Sequence, residues 1–284
     1  MKVVDLISTA AEHLAGKGYE NPRLEVELLL GHVLGMKRLD LYLHYDRPVT
    51  GEELETFRAL YRRRLAREPI QYIIGSTGFR DIEVITDRRA LVPRPETELL
   101  VGEAVKYLTG RFEPLVADIG AGTGVIAVSV LCELPGSRAV AVDISEEALM
   151  LARINAQRAG VEDRIELVVA DMLDGLAGRG PFDAVLSNPP YISTDDIAEL
   201  EPEIRDYEPS VALDGGSEGV HYLTLLAAEA HRHLKPDGIL LMECGRDQAE
   251  SVAAACEKTG RYRDVVVIKD LAGNDRMVKA FPTV

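Results

Sequence analysis

Leu115-Val116-Ala117-Asp118-Ile119-Gly120-Ala121-Gly122-Thr123-Gly124 decides the fold. An apolar run of strand length passes into glycines at alternate positions, and Val125–Glu133 continues with the composition of a buried helix. Glycine leaving a strand for a helix takes positive φ and removes the Cβ that would hold a ligand off the backbone. Downstream, apolar strands are predicted at Ala139–Val142, Ile165–Ala170, Ala184–Ser187 and Ile239–Glu243. Helices are predicted between them at Glu146–Ala159 and Val220–Leu234. Strands apolar on both faces, joined by helical crossovers, make a parallel, doubly wound α/β sheet. Arg263–Lys269 and Met277–Phe281 read as two further strands around Gly273-Asn274-Asp275.

Upstream the period changes. Leu6, Ile7, Ala10, Ala11 and Leu14 share one helical face, and Asn21-Pro22 opens a second helix that Gly35 stops. Thr50 and Glu53 have capping-box spacing before Leu54, Phe57, Leu60, Tyr61 and Leu65. Residues 70–92 alternate as strands around a turn: Tyr72-Ile73-Ile74, then Gly75-Ser76-Thr77-Gly78, then Ile82 to Thr86. The predicted organisation is a helical domain over 1–69, a hairpin linker over 70–92 and a larger α/β domain over 93–284.

The chain has 284 residues and a formal net charge of −15. Residues 1–80 carry +1 and residues 81–284 carry −16, the reverse of a phosphate-tracking nucleic-acid surface. No direct nucleic-acid partner is expected. Cys132, Cys244 and Cys256 form neither a CxxC pair nor a zinc knuckle, so no disulfide scaffold and no metal site are predicted. His231-x-His233 has no third ligand at suitable spacing and reads as a helix C-terminus. The N-terminus gains an acid at Asp5 and lacks a long apolar run. No signal peptide, membrane span or membrane partner is expected, and the location read is cytoplasmic.

The glycine spacing bears on the ligand. A dinucleotide fingerprint wants Gly or Ala where this chain has Val125, and Gly124 comes early. That favours a nucleoside such as S-adenosylmethionine, held by Gly120, Ala121, Gly122, Thr123 and Gly124. Asp143 ends the second strand 23 residues beyond Gly120, where a carboxylate accepts both ribose hydroxyls; the alternative is a cap beside Ser145. Asp171 and Met172 end the third strand, either at the adenine or on the rim of the site.

Ser187-Asn188-Pro189-Pro190-Tyr191 follows the fourth strand, on the side of the sheet where such folds bind ligands. Consecutive prolines fix φ twice and hold the Pro189 carbonyl in one direction. Asn188 adds a side-chain carbonyl. Two aligned acceptors suit a planar NH2 group, which they orient and enrich for attack on an electrophilic methyl. Tyr191 is placed to stack on the flat acceptor. The catalytic and substrate-binding candidates are therefore Asn188, Pro189, Pro190 and Tyr191, with Asn188 also at the cofactor.

Asn-Pro-Pro-Tyr after the fourth strand resembles the amino-group methyltransferases. With Pro22–Leu30, Arg67–Gly75, Leu91–Glu98, Glu208-Pro209, Leu213–Gly216 and Leu271–Arg276, the chain is similar over nearly its whole length to the HemK/PrmC family. Those are peptide-chain-release-factor glutamine methyltransferases. The resemblance implies a Rossmann-like S-adenosylmethionine-dependent methyltransferase domain with a small N-terminal helical bundle. It implies methylation of the side-chain amide (N5) of the glutamine in the Gly-Gly-Gln motif of class 1 release factors, S-adenosyl-L-homocysteine being the product. Where several relatives carry an aromatic residue beside adenine, this chain has Met172. Two rivals stay open: a nucleic-acid amino-methyltransferase acting on a flipped base, and a non-catalytic adaptor. Arg62-Arg63-Arg64 and Arg67 read either as a solvated face or as a docking patch for an acidic release-factor surface. Glu243 and Cys244 are candidates for the pocket floor or for strand-end packing.

Overall fold

The computed structural model describes residues 1–283, which divide into two compact units, Met1–Gly75 with Pro202–Tyr207, and Ser76–Glu201 with Glu208 onward. The first unit holds α1 (Val3–Ala15), α2 (Pro22–Leu34), α3 (Arg38–Leu43), α4 (Gly51–Leu65) and α5 (Ile70–Ile74). Pro22 takes the first turn of α2, and Gly35 ends it in the left-handed conformation at φ 62°. The capping box of α4 is formed: Thr50 Oγ1 accepts from the Glu53 N–H at 3.3 Å and the Thr50 N–H donates to Glu53 at 2.9 Å. Leu6, Leu14, Leu29, Leu30 and Phe57 fill the core of this unit.

Two expectations change here. Ile70–Ile74 is a short helix between Pro69 and a left-handed Gly75, not the first strand of the hairpin. The hairpin is β1 (Ser76–Phe79) with β2 (Ile82–Ile85), paired antiparallel. The arginine run is also not one exposed patch. Arg64 is 5% exposed; it is bonded by Glu25 and, at 2.9 Å, by Glu203, and its guanidinium lies 4.3 Å over the Tyr19 ring. Arg67 shares Glu203 at 3.1 Å, and Arg63 makes a two-pronged pair with Glu68 at 2.8 Å. The run is neutralised inside the unit, and Arg62 alone of the four has no acidic partner among the described residues.

The second unit carries a seven-stranded sheet in the order β5-β4-β3-β6-β7-β9-β8. Its elements are α6 (Thr97–Leu108), β3 (Leu115–Ile119), α7 (Val125–Glu133), β4 (Arg138–Asp143), α8 (Glu146–Arg158), β5 (Ile165–Val169) and β6 (Phe182–Ser187). After the one-turn α9 (Pro202–Arg205), which belongs to the first unit, come α10 (His221–Glu229), β7 (Leu234–Glu243), α11 (Ala249–Lys258), β8 (Tyr262–Lys269) and β9 (Asp275–Pro282). β3, β4, β5, β6 and β7 run parallel, while β9 is antiparallel to both its neighbours. Alternate strand residues face opposite layers. Val116, Ala139, Ala141, Ala184, Leu186, Ile239 and Leu241 pack with α6, α7 and α8. Ala117, Ile119, Val140, Val142, Val185, Leu240 and Met242 pack with α10 and α11. Both faces are covered, which is why these strands read as unbroken apolar runs. Chain order reverses between β3 and β6, and at such a switch point the loops leaving the strand ends open a crevice.

Candidate active site

β3 and β6 pair with Ile119 opposite Ser187. The Ser187 hydroxyl donates to the Ile119 carbonyl at 2.7 Å. The glycine loop and the Asn-Pro-Pro-Tyr loop therefore leave the sheet side by side. A cleft of about 950 Å³, open to solvent, lies at their mouths. It is lined by Gly120, Ala121, Gly122, Thr123, Asp143, Ile144, Asp171, Met172, Asn188 and Pro190, together with Ala90, Val92, Arg94, Thr97 and Tyr222 from outside the two loops.

Gly120, Gly122 and Gly124 all have positive φ, at 72°, 55° and 75°. Their roles differ. A Cβ on Gly120 or Gly122 would meet nothing closer than 3.9 Å, so these two keep open backbone at the cleft. Gly124 does not line the cleft; a Cβ there would sit 2.8 Å from that of Ala152. Its glycine lets α7 close onto α8. Asn155 of α8 braces the same loop, donating to the Thr123 carbonyl at 2.9 Å and exchanging hydrogen bonds with Ile85 of the hairpin at 2.7 and 3.1 Å.

Asp143 accepts from the Gly122 N–H and the Ser145 N–H, both at 2.8 Å, one on each oxygen. Burial raises its pKa, and the N–H groups of Ser145, Gly122 and Ile144 oppose the rise. Each oxygen keeps lone-pair capacity for a diol. Ser145, not Asp143, caps α8 by accepting from the Ala148 N–H at 3.1 Å. Met172 is buried and turned into the left-handed region at φ 44°, whereas Asp171 is exposed on the rim. Ile144 is half-exposed at the cleft, an apolar surface that the sequence reading passed over; its signal was an apolar residue straight after the strand-end acid.

On the other side, the Asn188 amide donates from Nδ2 to Thr97 Oγ1 at 3.0 Å. The Thr97 hydroxyl donates to Glu243 Oε2 at 2.7 Å. Among the described residues no donor reaches Asn188 Oδ1 or the Pro189 carbonyl. Glu243 ends β7 at 1% exposure; burial pushes its carboxyl up to about 7, against the Thr97 hydrogen bond, and its Oε1 has no partner among the described residues. Cys244 beside it is buried, and desolvation lifts its thiol to about 12. Pro189 is buried and is not among the residues that line the cleft. Tyr191 does not line the cleft: its ring packs on the α10 and α11 layer, part of it exposed, and burial raises the phenol. Arg94 grips both oxygens of the buried Glu208 at 2.8 and 2.9 Å, which ties the segment before α6 to the segment that re-enters this unit.

The chain matches two family models, the PrmC N-terminal domain over residues 5–75 and the methyltransferase small domain over residues 96–201. A protein of Chlorobaculum tepidum called release factor glutamine methyltransferase is 42% identical over 96% of this chain and 95% of its own length. One of the same name from Geobacter sulfurreducens is 42% identical over 94% of this chain and 92% of its own. This chain belongs to the release factor glutamine methyltransferase family. A solved methyltransferase from Pyrococcus furiosus superposes with a TM-score of 0.54 at 19% identity, covering 81% of this chain and 99% of that one, which shows the shared Rossmann-like fold. Within this family's frame Asn188 and Asp143 face one cleft from opposite loops. Among the described residues no helix is long and apolar enough to cross a membrane.

Proposed function

We propose that this methyltransferase transfers a methyl group from S-adenosyl-L-methionine to the side-chain amide nitrogen of the Gly-Gly-Gln glutamine in class 1 release factors. The observation that carries the reading is Asn188, a residue of the cleft wall whose Nδ2 is held by Thr97 and whose Oδ1 takes no donor among the described residues. Oδ1 and the Pro189 carbonyl then accept the two N–H bonds of a primary amide. The residues on the opposite wall fit the cofactor: open backbone at Gly120 and Gly122, the Asp143 carboxylate for the ribose hydroxyls, and Ile144 and Met172 as apolar surface for the base. S-adenosylmethionine supplies an electrophilic methyl group and a neutral thioether leaving group.

This chain's own contribution is to orientation and to aimed dipoles. An amide nitrogen is a poor nucleophile because its lone pair is delocalised. Accepting both N–H bonds concentrates electron density on nitrogen and fixes the direction in which it presents that density. The alkylated nitrogen is strongly acidic and loses its extra proton to the solvent that reaches the open cleft, so no strong base is needed beforehand. Tyr191 ends this loop, and its ring packs on the α10 and α11 layer and not on the cleft. The protein substrate agrees with the charge distribution, since the −16 segment surrounding the cleft repels polyanions.

The test offers labelled S-adenosylmethionine with a release factor, its Gln→Ala variant, DNA and ribosomal RNA. Label is expected on the release factor and is lost with the Gln→Ala change. Label on nucleic acid and none on release factor overturns the reading.

A further inference from the structure

Asn188 is useful to an acceptor amide only in one of its two flip states. With Oδ1 outward it accepts; with Nδ2 outward it confronts the acceptor's N–H with its own. The side chain alone does not choose between them, because the two ends of a carboxamide have nearly the same shape. Thr97 sits 3.0 Å behind Nδ2, at 2% exposure, in the first turn of α6. A hydroxyl both donates and accepts, so Thr97 by itself would satisfy either flip state. Glu243 Oε2, 2.7 Å beyond it, removes that freedom. In its ionised form Glu243 only accepts, so the single hydroxyl proton is then spent on Glu243 and the Thr97 oxygen is left to accept from Asn188.

The arrangement has no evident packing purpose. Glu243 ends a strand inside the apolar core, with neighbours Met242 and Cys244 fully buried. Its Oε1 has no partner among the described residues, a cost that an apolar side chain of similar size would avoid. A polar pair kept in an apolar layer at such a cost is expected where it specifies a functional geometry.

We propose that Thr97 and Glu243 are positioning residues: they lock the Asn188 amide with Oδ1 facing the acceptor, and so set turnover through Asn188. This rests on the reading of Asn188 as the acceptor-binding group. Three sites on separate elements take part: the start of α6, the end of β7 and the loop after β6.

The experiment is a double-substitution cycle on the full chain with release factor as acceptor. Thr97→Val, Thr97→Ser, Asn188→Ala and Thr97→Val/Asn188→Ala are compared in kcat, in KM for acceptor, and in S-adenosylhomocysteine affinity by calorimetry. Thr97→Val is expected to lower kcat about 10- to 100-fold, the scale of a misoriented reacting group. Affinity for S-adenosylhomocysteine stays within about twofold, and Thr97→Ser, which keeps the hydroxyl, restores most of kcat. The double variant is expected to be no slower than Asn188→Ala alone, as for residues acting through one group. If Thr97→Val does not fold, Glu243→Leu takes its place in the cycle with the same expectation. Wild-type kcat in Thr97→Val, equal losses in Thr97→Ser and Thr97→Val, or a further loss in the double variant overturns the relay. Wild-type kcat in Asn188→Ala overturns instead the reading on which the relay rests.

Discussion

Gln248 holds Tyr191 by its backbone. Its Nε2 donates to the Tyr191 carbonyl at 2.8 Å and to the Gly219 carbonyl at 3.2 Å, while its Oε1 accepts from the Gly245 N–H at 2.9 Å. One side chain at the start of α11 thus joins three loops, among them the one that carries Asn188. The rest of that loop is pinned by Ile192, which exchanges hydrogen bonds with Leu213 and Gly215 at 3.0 and 2.7 Å. Gly215 has no room for a side chain there: a Cβ would stand 2.8 Å from the Pro190 carbonyl. Gln248→Ala is expected to free the Tyr191 end of the loop and lower kcat about tenfold, the effect of a small misplacement near the chemistry. S-adenosylhomocysteine affinity should be unchanged, since no cofactor-side residue bonds to Gln248. Parallel kinetics and calorimetry check this; equal losses in both would place Gln248 in general stability.

Much of this was legible beforehand, for a local reason. Leu115–Ile119 and Val125–Glu133 fall where the sequence put them, because an unbroken apolar strand and a glycine-broken turn are written in consecutive residues. Tyr72-Ile73-Ile74 misled because a short aromatic and β-branched run has no period long enough to separate strand from helix. Pro69 and Gly75, which bound the α5 turn, were the better signal. Thr97 lay inside a recognised segment, yet its role depends on Asn188 and Glu243, 91 and 146 residues away. Nothing in its neighbours along the chain encodes that. The burial of Arg64 is equally non-local, since Glu25 and Glu203 are 39 and 139 residues distant.

The glycines of the loop after β3 separate by their surroundings. Gly124→Ala combines φ 75° with a Cβ 2.8 Å from that of Ala152. It is expected to destabilise the fold by about 2–4 kcal/mol, left-handed strain plus overpacking. Gly122→Ala carries φ 55° but meets only Ala90, at 3.9 Å, so about 1–2 kcal/mol is expected from backbone strain alone. Its larger effect should be on cofactor affinity, because its Cβ intrudes on the cleft. Urea denaturation and calorimetry on the two variants should therefore rank them in opposite orders.

Within the arginine run, position decides consequence. Arg64→Ala strips Glu25 and Glu203 of a shared, buried cation and removes the guanidinium from the Tyr19 ring. Breaking one side of a buried ion pair costs about 3–5 kcal/mol. Arg62→Ala, on an exposed side chain whose Nε reaches only the Arg58 carbonyl at 3.2 Å, should stay within about 0.5 kcal/mol. Equilibrium unfolding of both variants tests the contrast, and equal stabilities would refute the structural assignment of Arg64.

Asp118 gives the fold a pH dependence of unusual sign. It is fully buried in β3; Oδ2 accepts from the Ala127 N–H at 3.0 Å and Oδ1 has no partner among the described residues. Burial pushes its carboxyl up to about 7; the Ala127 hydrogen bond opposes this, and Asp143 adds to it. An unfolded aspartate titrates near 3.9. Between those values the folded chain holds a proton that the unfolded chain has released, so stability falls as pH rises through the window. Glu243, pushed up to about 7 from an ordinary 4.5, acts in the same direction. Asp118→Asn keeps the acceptor for Ala127 and removes the charge. Its stability relative to the parent should therefore be least favourable near pH 5 and improve steadily to pH 8. Urea midpoints at pH 5, 6.5 and 8 measure the difference, and a difference constant across that range would show that Asp118 does not hold its proton in the folded state.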